Sequence, residues 1–133
     1  MTMPSTQAAL LTAYGEDLTI RDIPLPGPDA GSLLVEVDTV TVCGSDVHLW
    51  QGAYAASNGL ELPVVPGHEI VGRVIAVGEG AESDSVSARV RVGDRVIWEH
   101  ASCGRCEQCT VQREPTLCVR RQIGMFTPVP PPP

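Results

Sequence analysis

Two groups of residues in this 133-residue chain could do chemistry. The first is Cys103-Gly-Arg-Cys106-Glu-Gln-Cys109 followed by Cys118, a C-x2-C-x2-C-x8-C pattern. Two-residue spacers let a backbone wrap one metal ion tightly, and a longer return loop supplies a fourth corner. Four thiolates suit a tetrahedral zinc with Zn–S bonds of about 2.3 Å, and a closed set of four leaves no open position. Such a site is structural. Gly104 relaxes the backbone at its tightest point. Four thiolates around one Zn²⁺ keep a net negative charge, which Arg105, Arg113, Arg120 and Arg121 can offset. The alternative, a set of buried or redox-active thiols, is the weaker reading for four clustered cysteines.

The second group is Cys43, Ser45 and His48 in one short segment, with His68-Glu69 in another. A soft thiolate, an imidazole and a carboxylate together suit zinc. Three protein ligands and one open position are what a catalytic zinc needs. Each residue also has an ordinary alternative. A lone cysteine is a small hydrophobe, and a lone histidine is a polar residue satisfied by its neighbours.

The elements that must position these residues are short. Residues 8–11 and 18–23 read as two strands around a turn at Gly15-Glu16-Asp17, and 23–28 as a Pro-rich connector. Alternation is clearest over 33–42, with Val35, Val37 and Thr39 on one face and Glu36, Asp38 and Val40 on the other. From Cys43 the pattern changes to a short helix through Trp50, with Ser45 as its expected cap. Residues 52–62 form a small-residue loop. Pro66-Gly67 turns the chain into a strand over 69–77, and 90–92 with 95–97 flank a Gly93-Asp94 hairpin turn. The lobe at 102–118 has no periodicity. Five prolines around Val129 close the sequence and suit neither sheet nor helix. No repeat and no long helix signal occurs. The fold class expected is mostly β, a small barrel carrying a Cys-rich zinc lobe. The domain spans 1–126, with a disordered Pro-rich tail at 127–133.

Composition bounds the function. Apolar residues make up 43 % and aromatics 4 %, so the core rests on Val, Ile, Leu and Ala. Net charge is −7, and all nine basic residues are Arg. An acidic chain without a basic run is a poor ligand for nucleic acid or anionic membranes. No stretch approaches the roughly 20 apolar residues of a membrane span, and residues 1–14 lack the basic flank of a secretory signal. The expected compartment is the cytoplasm, where thiols stay reduced.

The run Val42-Cys-Gly-Ser-Asp-Val-His48, then Pro66-Gly-His-Glu69, then Gly93-Asp-Arg-Val96, then the four-cysteine lobe resembles the zinc-dependent medium-chain alcohol dehydrogenases. It looks most like their sorbitol and threonine dehydrogenase branch. The order of motifs matches, from about Ala8 to Cys118.

The resemblance implies a GroES-like barrel. It implies that Cys43 and His68 ligate a catalytic zinc, with Glu69 beside it as neighbour or exchangeable ligand. Alcohol dehydrogenase is itself the usual illustration of zinc held by two cysteines and a histidine. The resemblance further implies that Ser45 and His48 carry the alcohol proton to solvent, that Cys103, Cys106, Cys109 and Cys118 hold the structural zinc, and that a small alcohol or carbonyl compound passes hydride to or from NAD or NADP. Full-length members of the family are often homo-oligomers.

Two features depart from the family. The last cysteine spacing is x8 where the family has x7, a change that loop closure tolerates. The family's nucleotide-binding fold, with its G-x-G-x-x-G turn, has no counterpart here. Gly78-Glu-Gly80-Ala-Glu-Ser83 lacks the third glycine and reads as a loop, so no residue is assigned to cofactor binding. The third protein ligand of the catalytic zinc would lie past residue 133, and the sequence reads as a truncated chain that is inactive alone. The competing reading is a non-catalytic zinc-binding remnant that keeps only the structural site. A chaperonin-type subunit, suggested by fold alone, has no use for Cys43, His68 or the lobe.

Overall fold

The computed structural model describes residues 4–55, 60–98, 102–121 and 123–129. Residues 56–59 of the expected loop and 130–133 of the expected tail lie outside the described residues. The chain is mostly β. Strands β1 (Ser5–Leu10) and β2 (Thr19–Pro24) pair antiparallel, in register from Ser5↔Pro24 to Leu10↔Thr19. A second antiparallel sheet has the order β3 (Leu33–Thr41), β4 (Glu69–Val77), β5 (Arg95–Trp98). Between β3 and β4 the chain forms helix α1 (Gly44–Trp50). After β5 come helix α2 (Glu107–Thr110) and two 3-10 turns at Pro115–Leu117 and Gly124–Phe126.

Three expectations are corrected. Among the described residues the two sheets do not close into a barrel. Outside the strands, single bridges Leu11↔Val64 and Val64↔Pro128 join the segment after β1, the segment before β4 and the end of the described chain. The expected 90–92 arm of a hairpin is not a strand. The backbone turns tightly at 91–94, with Arg91 N–H donating to the Asp94 carboxylate and Asp94 N–H to the Arg91 carbonyl. This hands β5 to β4 instead, in register from Ile70↔Trp98 to Arg73↔Arg95. Nor do 127–129 belong to a free tail, since Val129 N–H donates to the Pro63 carbonyl at 2.8 Å.

The main apolar cluster sits where these pieces meet. Leu11, Leu49, Val64 and Met125 are buried together, with Tyr14, Tyr54, Leu62 and Phe126 packed around them. The Tyr54 and Phe126 rings lie 5.2 Å apart and tilted by 59°, a favourable aromatic arrangement. Each leucine withdrawn from water contributes about 1.5–3 kcal/mol, so Leu49 anchors α1 against the end of β1.

A reciprocal tie fixes the helix further. Gly15 N–H donates to the Trp50 carbonyl and the Trp50 indole N–H to the Glu16 carbonyl, both at 2.7 Å. The helix, seven residues long, is too short to persist alone. Packing and these bonds hold it where it presents Cys43 and Ser45.

Candidate metal centres

The lobe at 102–121 brings its four sulfurs together. All four Sγ atoms lie within 4.8 Å of one another. Cys106 Sγ is 3.4 Å from Cys109 Sγ and 3.9 Å from Cys118 Sγ. Tetrahedral coordination at about 2.3 Å places sulfurs roughly 3.8 Å apart, so the donor set fits one zinc ion. Gly104 has φ +64°, a conformation that favours glycine.

Among the described residues no arginine side chain bonds a cysteine sulfur. Backbone N–H groups do, with Cys103 N–H and Arg120 N–H donating to Cys118 Sγ at 3.3 and 3.4 Å. The backbone N–H of Arg105 draws the Cys103 thiol down to about 6 against the opposing effect of burial. The backbone N–H of Cys109 lowers Cys106. Burial, reinforced by its neighbouring sulfurs, pushes Cys109 up to about 11. Sulfurs this close cannot all carry charge unaided, and a dication relieves that conflict.

The second cluster joins two segments. Cys43 is the N-cap of α1, with φ −116° and ψ 180°. Ser45, the expected cap, falls inside the first turn. Its hydroxyl lies 2.9 Å from Cys43 Sγ and 3.4 Å from His68 Nε2. Cys43 Sγ is 3.5 Å from His68 Nε2. A thiolate and an imidazole sharing one tetrahedral zinc, at about 2.3 and 2.0–2.1 Å, would stand roughly 3.6 Å apart. A carboxylate oxygen of Glu69 also lies within 4.8 Å of both ligand atoms. The Thr41 hydroxyl donates to that carboxylate.

Gly67 makes this approach possible. Its φ is +96°, and a Cβ there would meet Val40 Cγ2 at 2.6 Å. The glycine lets the chain turn against β3 and deliver His68 to the Cys43 thiol.

Residues 29–128 match the alcohol dehydrogenase GroES-like domain. The chain belongs to this family. An alcohol dehydrogenase of Moraxella sp. is 36 % identical over 123 residues, covering 91 % of this chain and 34 % of that protein. The L-threonine 3-dehydrogenase of Pyrococcus abyssi is 38 % identical over 98 residues, 73 % of this chain and 26 % of that protein. A solved alcohol dehydrogenase from Escherichia coli CFT073, complexed with NADH, superposes with a TM-score of 0.73 at 34 % identity, covering 92 % of this chain and 33 % of that one. The chain thus spans about a third of the length of the relatives it matches. It corresponds to the N-terminal part of zinc-type medium-chain alcohol dehydrogenases.

For a member of this family, the sequence-predicted residues fall into one connected set and one outlier. Cys43, Ser45, His68 and Glu69 converge. His48 lies on the exposed side of α1, and among the described residues its ring bonds neither Ser45 nor His68.

The residue that sequence reading missed is Asp46. Its buried carboxylate accepts the Cys43 N–H and the Gly67 N–H, both at 2.9 Å. It also stands 3.4 Å from His68 Nδ1. Burial opposes its charge, but the two backbone N–H groups and His68 outweigh it and hold the carboxyl below its ordinary range. The readable signal was its place at the third position of α1, from which an acidic side chain reaches back to the cap.

The loop after β4 is closed on itself. Gly78 N–H donates to the Ser32 carbonyl and Gly31 N–H to the Glu79 carbonyl. A Cβ at Gly78 would collide with the Asp29 carbonyl, so this glycine serves close packing against the 29–32 loop. Among the described residues no helix is long and apolar enough to cross a membrane.

Proposed function

We propose that this chain is the zinc-holding catalytic portion of an alcohol dehydrogenase, acting on an alcohol or carbonyl compound with NAD or NADP as the hydride partner. The observation that carries this reading is the convergence of Cys43 Sγ, His68 Nε2 and the Glu69 carboxylate beside a groove of about 450 Å³. Cys43 and His68 would hold the metal, with Glu69 as neighbour or exchangeable ligand. Zinc held there supplies Lewis acidity toward the substrate oxygen.

The chain's own residues do the rest. Asp46 fixes the His68 ring so that Nε2 faces Cys43, and it clamps the turn before His68 to the start of α1. Such outer partners orient a ligand and raise its basicity. The Ser45 hydroxyl, within reach of both ligand atoms, is placed to take the alcohol proton. His48, three residues further along α1 and open to solvent, would release that proton to water. Among the described residues no hydrogen bond joins Ser45 to His48, so this last step would run through a water molecule. Cys103, Cys106, Cys109 and Cys118 would hold a structural zinc.

The test is cobalt substitution. Cobalt bound by thiolate gives an intense charge-transfer band, and two populations are expected. Cys43→Ala should remove one and Cys106→Ser the other. Cobalt binding that ignores Cys43→Ala and His68→Ala would leave only the structural site and favour a non-catalytic zinc protein.

A further inference from the structure

Strands β3 and β4 reach the Cys43/His68 cluster with one directly opposed pair, Thr41↔Glu69. Thr41 ends β3 two residues before Cys43, and Glu69 opens β4 immediately after His68. Directly opposed residues of an antiparallel pair project from the same face, with Cβ atoms about 4.5–5.5 Å apart. Across that short gap the Thr41 hydroxyl donates a hydrogen bond to the Glu69 carboxylate. Thr41 is β-branched and stiff at its first side-chain torsion, so the ladder sets where its hydroxyl stands. The longer glutamate side chain is free to follow it, and the bond gives its carboxylate a resting place on β3.

Burial separates Glu69 from the other two donors of the cluster. Cys43 and His68 are half-buried, and the Ser45 hydroxyl stands close to both, 2.9 Å from the sulfur and 3.4 Å from the ring nitrogen. Glu69 is exposed, although its carboxylate lies within 4.8 Å of the same two ligand atoms.

We infer that Thr41 is a positioning residue that holds the Glu69 carboxylate in standby, off a metal bound by Cys43 and His68. A coordination position thereby stays open for the substrate oxygen. The inference rests on the reading above that Cys43 and His68 hold a catalytic metal, and it makes Glu69 a neighbour of that metal in the resting site.

The physical reason is competition for one carboxylate. A hydroxyl bonded to an ionised acceptor is among the stronger hydrogen bonds. An oxygen that accepts it is a poorer donor to a cation, and a carboxylate that moves onto the ion gives the bond up. A carboxylate on the ion would fill the open position that a catalytic zinc needs. It would also offset part of the charge that polarises a substrate oxygen. Both partners are exposed, so water replaces part of the lost bond, and the effect of removing the hydroxyl is about three- to tenfold in metal affinity.

The experiment is cobalt titration of the 133-residue chain. The Cys43 site is read as the part of the thiolate-to-cobalt absorption that Cys43→Ala removes. Thr41→Val keeps the shape and the strand preference and lacks the donor. It should bind cobalt at this site about three- to tenfold more tightly than wild type. Thr41→Ala, which also lacks the hydroxyl, should tighten it too, and Thr41→Ser should restore the wild-type value. In a Glu69→Ala background, adding Thr41→Val should change nothing. A purely structural role for Thr41 predicts the opposite sign, a looser site. The methyl signals of Val74, buried on β4 and paired with Val35 of β3, report that each variant keeps the sheet.

The inference is overturned if the folded Thr41→Val and Thr41→Ala variants bind cobalt like wild type or more weakly. It is equally overturned if the gain persists without Glu69. In those outcomes the Cys43-dependent absorption of the wild type is still present and the catalytic reading stands. Wild-type protein without that absorption would instead remove the catalytic reading, and this inference with it.

Discussion

Asp46 Oδ1 lies 3.4 Å from His68 Nδ1, on the opposite side of the imidazole from the Cys43 thiol. The same carboxylate takes the backbone N–H groups of Gly67 and Cys43. One buried side chain therefore faces the far nitrogen of a candidate ligand and ties together the two segments that supply ligands.

Asp46→Asn tests this relationship. The amide keeps the shape but turns an N–H₂ group toward the Cys43 N–H or the Gly67 N–H, leaving a buried donor unpaired at a cost of about 1–3 kcal/mol. It also removes the negative charge behind the ring. Metal affinity at the Cys43/His68 site should fall about 10–100-fold, while zinc in the four-cysteine lobe stays bound. A cobalt titration that gives wild-type affinity at both sites would show that Asp46 serves only the fold.

The lobe should behave as a folding unit. Cys106 Sγ is close to both Cys109 and Cys118, so Cys106→Ser leaves three sulfurs around a gap. Binding energy at such a site is folding energy. The variant should lose one zinc equivalent, and its melting temperature should drop by roughly 10 °C or more. Calorimetry with parallel elemental analysis checks both, and a variant that melts with wild type would mean that the lobe does not use zinc.

How far the sequence was readable follows from how local each feature is. The lobe was legible because its ligands lie within sixteen residues and their spacing states the geometry. Strand β4 was legible at both ends because Pro66-Gly67 fixes its start and alternation carries it to Val77. The 90–92 arm was misread because Val90 and Val92 alternate like a strand, yet the Asp94 carbonyl accepts the Val74 N–H and the Asp94 carboxylate the Arg91 N–H, which makes the segment a turn. Barrel closure depends on pairings between distant segments, and here Leu11↔Val64 is a single bridge. Asp46 escaped notice because its importance comes from Gly67 and His68, more than twenty residues away.

The 133-residue chain should not bind NADH measurably. A pyrophosphate needs unspent backbone N–H groups at a helix start. In the Gly-rich loop after β4, the N–H groups of Gly78 and Ala81 are already donated to the Ser32 and Gly78 carbonyls. The carbonyl of Asp29 closes over Gly78. Isothermal calorimetry should therefore show no heat of binding. A micromolar dissociation constant would reveal a nucleotide site on this chain and make the loop the first place to look.

The two metal centres should differ in how firmly they hold zinc. The lobe offers four sulfurs whose backbone is already set, with N–H groups turned toward them. Its ligands come from one contiguous segment, so little ordering remains to be done when the ion enters. The Cys43 cluster offers one thiol, one imidazole and a carboxylate that already accepts a hydrogen bond from Thr41. Glu69 is exposed, so water competes for the ion there. Affinity in mixed sites rises with the number of well-placed soft ligands, and three donors from two segments held by Asp46 give less than four. In a titration with a chromogenic chelator, one zinc should resist removal and the other should leave early. Cys43→Ala should abolish the early step alone, and Cys109→Ser the late one. Two zinc ions leaving together, or an early step untouched by Cys43→Ala, would show that the Cys43 cluster is not a separate metal site.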